Sequence, residues 1–209
     1  MSAVEEAVPL FLISQAGGLG LSPQSIGQVL SASGLVYILS KNSVYFTSMK
    51  VFRFYGSIRI PLLLSGFVIA LVPFTSFIQG GDIAVVMSDG ERTPYRDATW
   101  TKLIFLAIIL GFHRIFFSTA SASVVVGLNR SIAPHHRAAM NQLNKIGGNI
   151  AKTIGPVLSG SMIASSFLLF GSDIQRFGSV LAFLVLSVIS ISASVLSVQL
   201  LGGIFLIES

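Results

Sequence analysis

The stretch IILGFHRIFFSTA, residues 108–120, places a histidine and an arginine in the middle of an otherwise apolar run. The run extends from Thr101 to Leu128, which is longer than the roughly 20 residues that a helix needs to cross the hydrocarbon core of a bilayer. Arg114 lies near the centre of this run. The sequence therefore predicts a membrane-spanning helix that carries a permanent cation at mid-depth.

The composition of the whole chain favours a membrane protein. Hydrophobic residues make up 53% of the 209 residues and charged residues only 10%, and the mean hydropathy is +0.83. Too few polar residues remain to coat a water-soluble globule of this size. The chain has no cysteine, so disulfides and thiolate metal sites are excluded.

The apolar runs predict an all-α bundle over residues 1–209, with five complete transmembrane helices and one partial helix. The complete helices are predicted over 25–46, 61–78, 101–128, 146–170 and 178–206. Ser22 is expected to cap the first of these, with Pro23 at its first helical position. The run 8–16 is too short to span, and we interpret it as the remnant of a helix whose beginning is missing or as a re-entrant piece. Because Glu5 and Glu6 stand where a signal peptide is basic, we do not interpret it as a signal peptide.

The basic residues alternate from one connection to the next. Eight lie in or beside the connections 41–60 and 129–145, and four lie on the other side, in or near the connection 79–100 and before the last helix. This distribution follows the positive-inside rule, so the first two connections are predicted to be cytoplasmic and the polar loop 79–100 to lie opposite. The net charge of +5 is thus explained by a lipid bilayer as partner, without nucleic acid.

Arg114 and His113 are the first candidate functional residues. A cation at the bilayer centre costs about 2.5–3.5 kcal/mol on insertion scales. Arg114 therefore either snorkels to an interface, tethers a helix carbonyl or a carboxylate, or serves substrate binding or coupling. His113 is either a hydrogen-bonded packing residue or a proton carrier. Asn149, in the polar half of the next helix, is a further candidate for substrate binding or coupling. That half of the helix either lines a water-filled vestibule or lies in the cytoplasm.

Small residues recur along the helix predicted over 146–170. Such a stripe lets another helix approach closely, and Pro156 is expected to kink the helix around a cavity. The predicted helix-packing positions are Gly147, Ala151, Gly155, Pro156, Ser159 and Gly160.

The connection 41–60 contains arginines spaced around a glycine, at Arg53, Gly56 and Arg59. The glycine permits a tight turn between antiparallel helices, and the arginines can bond the carbonyl ends of neighbouring helices and favour one gating state. The alternative is an ordinary positive-inside loop. No catalytic set, metal-ligating cluster or cofactor motif is found, so neither an enzyme nor a metal site is predicted. The acidic residues are expected to lie in outer connections or at the chain start, away from His113.

Three segments together resemble a known family: SIGQVLSASGLVYILS at 25–40, VFRFYGSIRI at 51–60 and the region from His113 to Met162. They are similar to the carboxyl-terminal half of the major facilitator superfamily, in particular the plant and fungal zinc-induced-facilitator-like branch. The features that carry the likeness are R-x-x-G-x-x-R at Arg53, Gly56 and Arg59; the turn with Asn129, Ser131 and Pro134; Asn141 with Gly155, Pro156 and Gly160; and Arg114 itself.

The resemblance implies half of a twelve-helix fold that binds solute between two halves. Two features depart from the family pattern: Arg53 stands where an acidic residue is frequent, and Lys152 precedes the Gly-Pro step. Function is accordingly expected to be secondary active transport of a small-molecule substrate by alternating access, with the chain as a fragment or half-unit that pairs with a second six-helix half. The alternative is a non-transporting membrane protein that acts through helix–helix association.

Overall fold

The computed structural model describes residues 2–14, 18–78, 83–88, 91–96, 99–170 and 175–205. Within these, the side chains of residues 2, 52–55, 77, 83–88, 91–96, 131, 166–170, 175–179 and 198–205 lie outside the description. The α-helices are α1 (Ser2–Ile13), α2 (Pro23–Ala70), α3 (Trp100–Ser131), α4 (Arg137–Phe170) and α5 (Gln175–Phe205). Short 3-10 helices cover Val72–Phe77 and Pro134–His136. Two antiparallel strands, β1 (Ile83–Ser88) and β2 (Glu91–Arg96), form a hairpin between α2 and α3.

The start of α2 is the one predicted from the sequence. Ser22 is its N-cap and accepts a hydrogen bond from the Ser25 backbone N–H at 3.3 Å, and Pro23 occupies the first helical position. The glycine-rich link before it contains Gly20 at φ 59°, a conformation that glycine adopts without steric cost. The prediction of this helix start is confirmed.

The helical segment α2 covers both the predicted helices 25–46 and most of 61–78, and it reverses direction between them. A straight helix would separate Ser33 from Ser65 by about 48 Å at 1.5 Å per residue. Instead, these two serines bond to adjacent residues of α3, Arg114 and His113. A cavity of about 230 Å³ is lined by residues 43–48 on one side and by Ile60, Pro61 and Leu64 on the other. The reversal therefore falls between Ser48 and Ile60, and we name residues 23–48 the first arm and 57–70 the second arm.

Hydrogen-bond partners fix the directions of the helices. Ser33 bonds to Arg114 and Tyr37 bonds to Ser118. Residue numbers therefore increase in the same direction along both elements, so the first arm runs parallel to α3. The second arm runs antiparallel to α3, because Ser65 meets His113 whereas Ile60 and Leu64 share a cavity with Phe116. The two arms and α3 thus alternate in direction, as expected of successive helices in a bundle.

Serine hydroxyls join α5 to the second arm. Ser187 donates to the Gly66 carbonyl at 2.8 Å, Ser190 to that of Leu62 at 3.0 Å and Ser194 to that of Arg59 at 2.9 Å. The three donors ascend α5 while the acceptors descend the arm, so these elements are antiparallel. Interhelical hydrogen bonds of this kind hold helices together in lipid, where apolar burial supplies little drive for association.

The packing leaves many large apolar side chains on the outside. Leu35 is 62% exposed, Ile38 70%, Ile104 56% and Val188 60%. Among the described residues, three helical stretches are long and apolar enough to cross a membrane: Gly56–Ser76, Trp100–Arg130 and Val180–Ser197. An apolar outer surface of this extent fits a lipid environment. The predicted spans 25–46 and 146–170 do not reach that standard of length and composition in the described chain, and the total of five spans stays a prediction.

Several predicted boundaries are corrected. The connection 41–60 is helical in α2 apart from its reversal, and the connection 129–145 shrinks to residues 132–136, because α4 begins at Arg137. The prediction that residues 137–145 belong to a loop is wrong, and most of these residues are good helix formers. The partial helix 8–16 is replaced by α1, which begins at Ser2 and ends at Ile13. The loop 79–100 contains the hairpin of β1 and β2, which the sequence analysis did not predict.

Close packing of α3 against the first arm makes Gly111 a sensitive position. A Cβ added at Gly111 would lie 2.7 Å from Val36 Cγ1 and 2.9 Å from its Cβ, and Val36 is β-branched and therefore stiff. We expect Gly111→Ala to destabilise the protein by about 1–3 kcal/mol, measured as a lower thermal unfolding midpoint in detergent micelles. Gly147→Ala is the control, since a Cβ there meets nothing within 4 Å. Equal midpoints for the two variants would contradict this packing.

Candidate functional site

Arg114 lies in the middle of the apolar stretch Trp100–Arg130 and is half-buried. Its Nη1 donates to Ser33 Oγ of the first arm at 3.1 Å, and Ser33 Oγ in turn donates to the Leu30 carbonyl at 2.8 Å. The guanidinium is thus attached to the first arm through a fully buried hydroxyl. A hydroxyl contributes one neutral acceptor, whereas a guanidinium has five N–H donors and a full charge.

The seam between α3 and the first arm continues as a polar line. Gly34, next to Ser33, also lies beside the guanidinium: a Cβ added there would be at ordinary van der Waals distance, 4.0 Å, from Nη1. One helical turn further on, Tyr37 Oη and Ser118 Oγ are 3.1 Å apart. Lys41 Nζ lies 5.3 Å from the centre of the Tyr37 ring, within the range of a cation–π contact. Polar groups therefore follow one another along this interface.

His113 faces the second arm and is 3% exposed. Its Nδ1 forms a 2.9 Å hydrogen bond with the fully buried Ser65 Oγ, and the tautomer decides which atom donates. Its Nε2 is buried and has no hydrogen-bond partner within the described residues. Adjacent residues of α3 thus bond to opposite arms of α2, which explains why polar residues stand side by side in an apolar run.

A small cavity of about 20 Å³ adjoins these two side chains. Glu5 of α1 lines it together with His113 and Arg114, and the apolar residues Val4, Val8, Leu30 and Leu110 complete its wall. The expectation that the acidic residues lie away from His113 is therefore wrong for Glu5. The buried positions Val4, Ala7, Val8 and Phe11 recur at helical spacing, and this periodicity was the signal that Glu5 sits on a packed helix.

The remaining predicted site residues lie elsewhere. Asn149 is exposed on α4 and does not line this cavity. Near the reversal of α2, Gly56 is half-buried and Arg59 exposed, with the Arg59 carbonyl accepting from Ser194. The side chain of Arg53 lies outside the described residues. The structure thus joins Arg114 and His113 in one site and leaves Asn149, Gly56 and Arg59 outside it.

The small-residue stripe of α4 is only partly packed. Gly155 and Ser159 are buried and Pro156 is half-buried, whereas Ala151 is exposed. A Cβ added at Gly147 or Gly160 would meet nothing within 4 Å, so the predicted close approach of a helix is absent at these two positions among the described residues. In the part of the chain that the structure describes, no group of three potential metal-ligating His, Asp or Glu side chains occurs.

No protein-family model, curated protein or solved structure matches this chain. The likeness to the major facilitator superfamily therefore stays a prediction from the sequence segments given above.

The hydrogen bond between Ser65 and His113 should be important for stability. Removing the hydroxyl in Ser65→Ala leaves a buried imidazole nitrogen without its partner, which costs about 1–3 kcal/mol. We expect a clearly lower thermal unfolding midpoint in detergent micelles. Ser161→Ala is the control, because Ser161 is exposed and its Oγ donates only to the Leu158 carbonyl in its own helix. A Ser65→Ala midpoint as high as that of the control would show that the bond contributes nothing.

Proposed function

We propose that this protein is part of a secondary active transporter, which moves a small solute across a membrane by alternating access. The observation that carries the proposal is the position of Arg114, at the centre of a stretch able to span a bilayer and beside a small cavity that His113 and the exposed residue Glu5 also line. Charged residues at membrane depth usually face a bundle interior or a water-filled path, where they serve ions or substrates.

The hydrogen bonding of Arg114 supports the binding of an anionic solute. Within the described residues, Ser33 offers one neutral oxygen to the guanidinium, and Arg114 and Glu5 form no direct ion pair. A guanidinium has five N–H donors, so a solute could accept from donors other than the one that Ser33 uses. A negatively charged group of the solute would bind here by bidentate hydrogen bonds, a geometry that arginine favours.

The size of the cavity supports a cycle with a closed state. About 20 Å³ holds one water molecule, whereas small-molecule sites measure roughly 300–1,000 Å³. A solute would reach Arg114 only after α1, the first arm and α3 separate. Such separation of packed helices around a central site is the motion that alternating access requires. In this proposal a second six-helix half completes the site.

The reversal of α2 is proposed as a gating region. Arg59 is exposed there, and Ser194 of α5 holds the carbonyl of the same residue at 2.9 Å. Arg59, and Arg53 by its position in the sequence, would bond the carbonyl ends of neighbouring helices in one state and release them in the other.

The alternative function, helix–helix association without transport, is favoured by one observation. The α4 helix exposes Leu143, Ile146 and Ile150 beside the open face at Gly147. Such a face fits another helix as well as it fits lipid. Under this alternative Arg114 is a structural tether to Ser33 and has no solute to bind.

Transport by variants of Arg114 separates the two functions. The protein encoded by the complete open reading frame is reconstituted in vesicles, and a panel of small organic anions and cations is screened for uptake with and without a proton gradient. For a solute that is taken up, Arg114→Ala should abolish uptake and Arg114→Lys should retain part of it, because the lysine preserves the charge without the bidentate geometry.

Control variants test whether the loss is specific. Lys145→Ala removes an exposed cation from α4 and should transport normally. All variants must reach the membrane in equal amounts, measured by surface labelling. Normal uptake by Arg114→Ala would refute the assignment of Arg114 and favour the association role.

A further inference from the structure

A second cavity, of about 230 Å³, lies where the two arms of α2 meet α3. Residues of all three elements line it, including Val44 and Ser48 of the first arm, Pro61 and Leu64 of the second arm and Phe116 of α3. We name it the arm cavity. Its lining is almost wholly apolar. The second arm and α3 contribute these residues from stretches that are able to cross a membrane, so the arm cavity borders two such stretches.

Ser48 places a hydroxyl in this apolar wall. The side chain is 5% exposed, and its Oγ is buried without a hydrogen-bond partner among the described residues. Other buried serines donate to a carbonyl, as Ser33 does to Leu30 and Ser187 to Gly66. A buried hydroxyl without a partner is unfavourable. Ser48 Oγ therefore has hydrogen-bonding capacity for a molecule inside the arm cavity.

The volume and the lining of the arm cavity define what fits it. Water is a poor occupant, because a buried water needs between two and four polar partners and this lining is almost wholly apolar. A pure hydrocarbon suits the walls but leaves Ser48 unpaired. Since a dry cavity of roughly 150 Å³ takes up benzene, about 230 Å³ has room for about nine non-hydrogen atoms. An apolar molecule of this size with one polar group satisfies both the walls and Ser48.

The arm cavity also reaches the outer surface of the bundle. Thr47 and Leu64, which both line it, are exposed. In the same helices, large apolar side chains face outward, as Ile38 and Phe67 do. A molecule dissolved in a bilayer would thus enter the arm cavity from the side, without passing the cavity beside Arg114.

We propose that the arm cavity is a binding site for a small amphiphile, an apolar molecule about as large as octanol that carries a single hydroxyl or carbonyl group. The polar group bonds to Ser48 Oγ, and the apolar body lies between the two arms and Phe116. The bound molecule contacts all three elements, so it stabilises the conformation in which they are packed together. This inference goes beyond the proposed transport function and does not depend on it.

Photolabelling in lipid nanodiscs tests the site. The protein encoded by the complete open reading frame is irradiated with a diazirine analogue of octanol, and the labelled residues are located by mass spectrometry of peptides. We expect saturable labelling of residues that line the arm cavity. With concentrations expressed per volume of bilayer, octanol should compete with the probe at about fivefold lower concentration than octane, because only the alcohol gains a hydrogen bond.

Variants of Ser48 and of the cavity wall make the test specific. Ser48→Ala removes the hydroxyl and retains the apolar space, so octanol and octane should then compete equally. Ser161→Ala is the matched control and should retain the preference for octanol, because Ser161 is exposed and bonds only within its own helix. Val44→Phe adds a ring to the wall of the arm cavity and should strongly reduce the saturable labelling.

A measurement without ligand tests the unpaired hydroxyl itself. The thermal unfolding midpoint of Ser48→Ala should equal or exceed that of the wild type, because this variant removes a buried group that has no partner in the protein. A lower midpoint would show that the protein itself uses the hydroxyl, and it would overturn the proposal. Equal competition by octanol and octane in the wild type, or labelling that does not saturate, would also overturn it, since lipid chains would then fill the space. These experiments do not measure transport, so their failure is distinguishable from a failure of the uptake experiment.

Discussion

A guanidinium in the middle of an apolar helix constrains the packing of everything around it. Arg114 cannot reach water along α3 without passing several turns of apolar side chains, so neighbouring helices must supply its polar contacts. Ser33 on one arm of α2 supplies such a contact, and Arg114 also lines a small cavity together with Glu5 of α1. The adjacent His113 forms a hydrogen bond with Ser65 of the other arm. Two consecutive residues of α3 therefore bond to both arms of α2.

Hydroxyl groups also form polar contacts between the described helices. Ser187, Ser190 and Ser194 of α5 donate to carbonyls of the second arm. Tyr37 of the first arm forms a hydrogen bond with Ser118 of α3. Apolar surface faces outward in the same helices, as with Leu35 and Val188. In a bilayer the interior of a bundle is distinguished less by its hydrophobicity than by such small and polar contacts. A polar line through the interior also provides a route along which water can enter when helices separate.

The sequence predicts well what depends on local chemistry. The start of α2 at Ser22 and Pro23 and the length of α3 follow from capping rules and apolar run length. That Arg114 bonds to a polar group of another helix follows from the cost of burying a charge. Helix ends that extend beyond the apolar runs were missed, because residues 137–145 are helical in α4 although most of them are polar. The site partners were also missed. Ser33, Ser65 and Glu5 look ordinary in the sequence, and only the tertiary arrangement of α1 and the two arms selects them from many similar serines and acids.

The proposed transport cycle requires that the interface between α3 and the first arm beside Arg114 opens to water. Thiol labelling tests this most directly. The chain has no native cysteine, so each introduced cysteine is labelled on its own. Leu30 lines the cavity, whereas Leu35 on the same arm is 62% exposed on the apolar outside. A membrane-impermeant thiol reagent reacts only with a cysteine that water reaches. It should label Leu30→Cys in membranes from one side or the other, at neutral or acidic pH, and leave Leu35→Cys unlabelled. Complete protection of Leu30→Cys under all of these conditions would contradict a hydrated seam and leave Arg114 as a structural tether in a closed bundle.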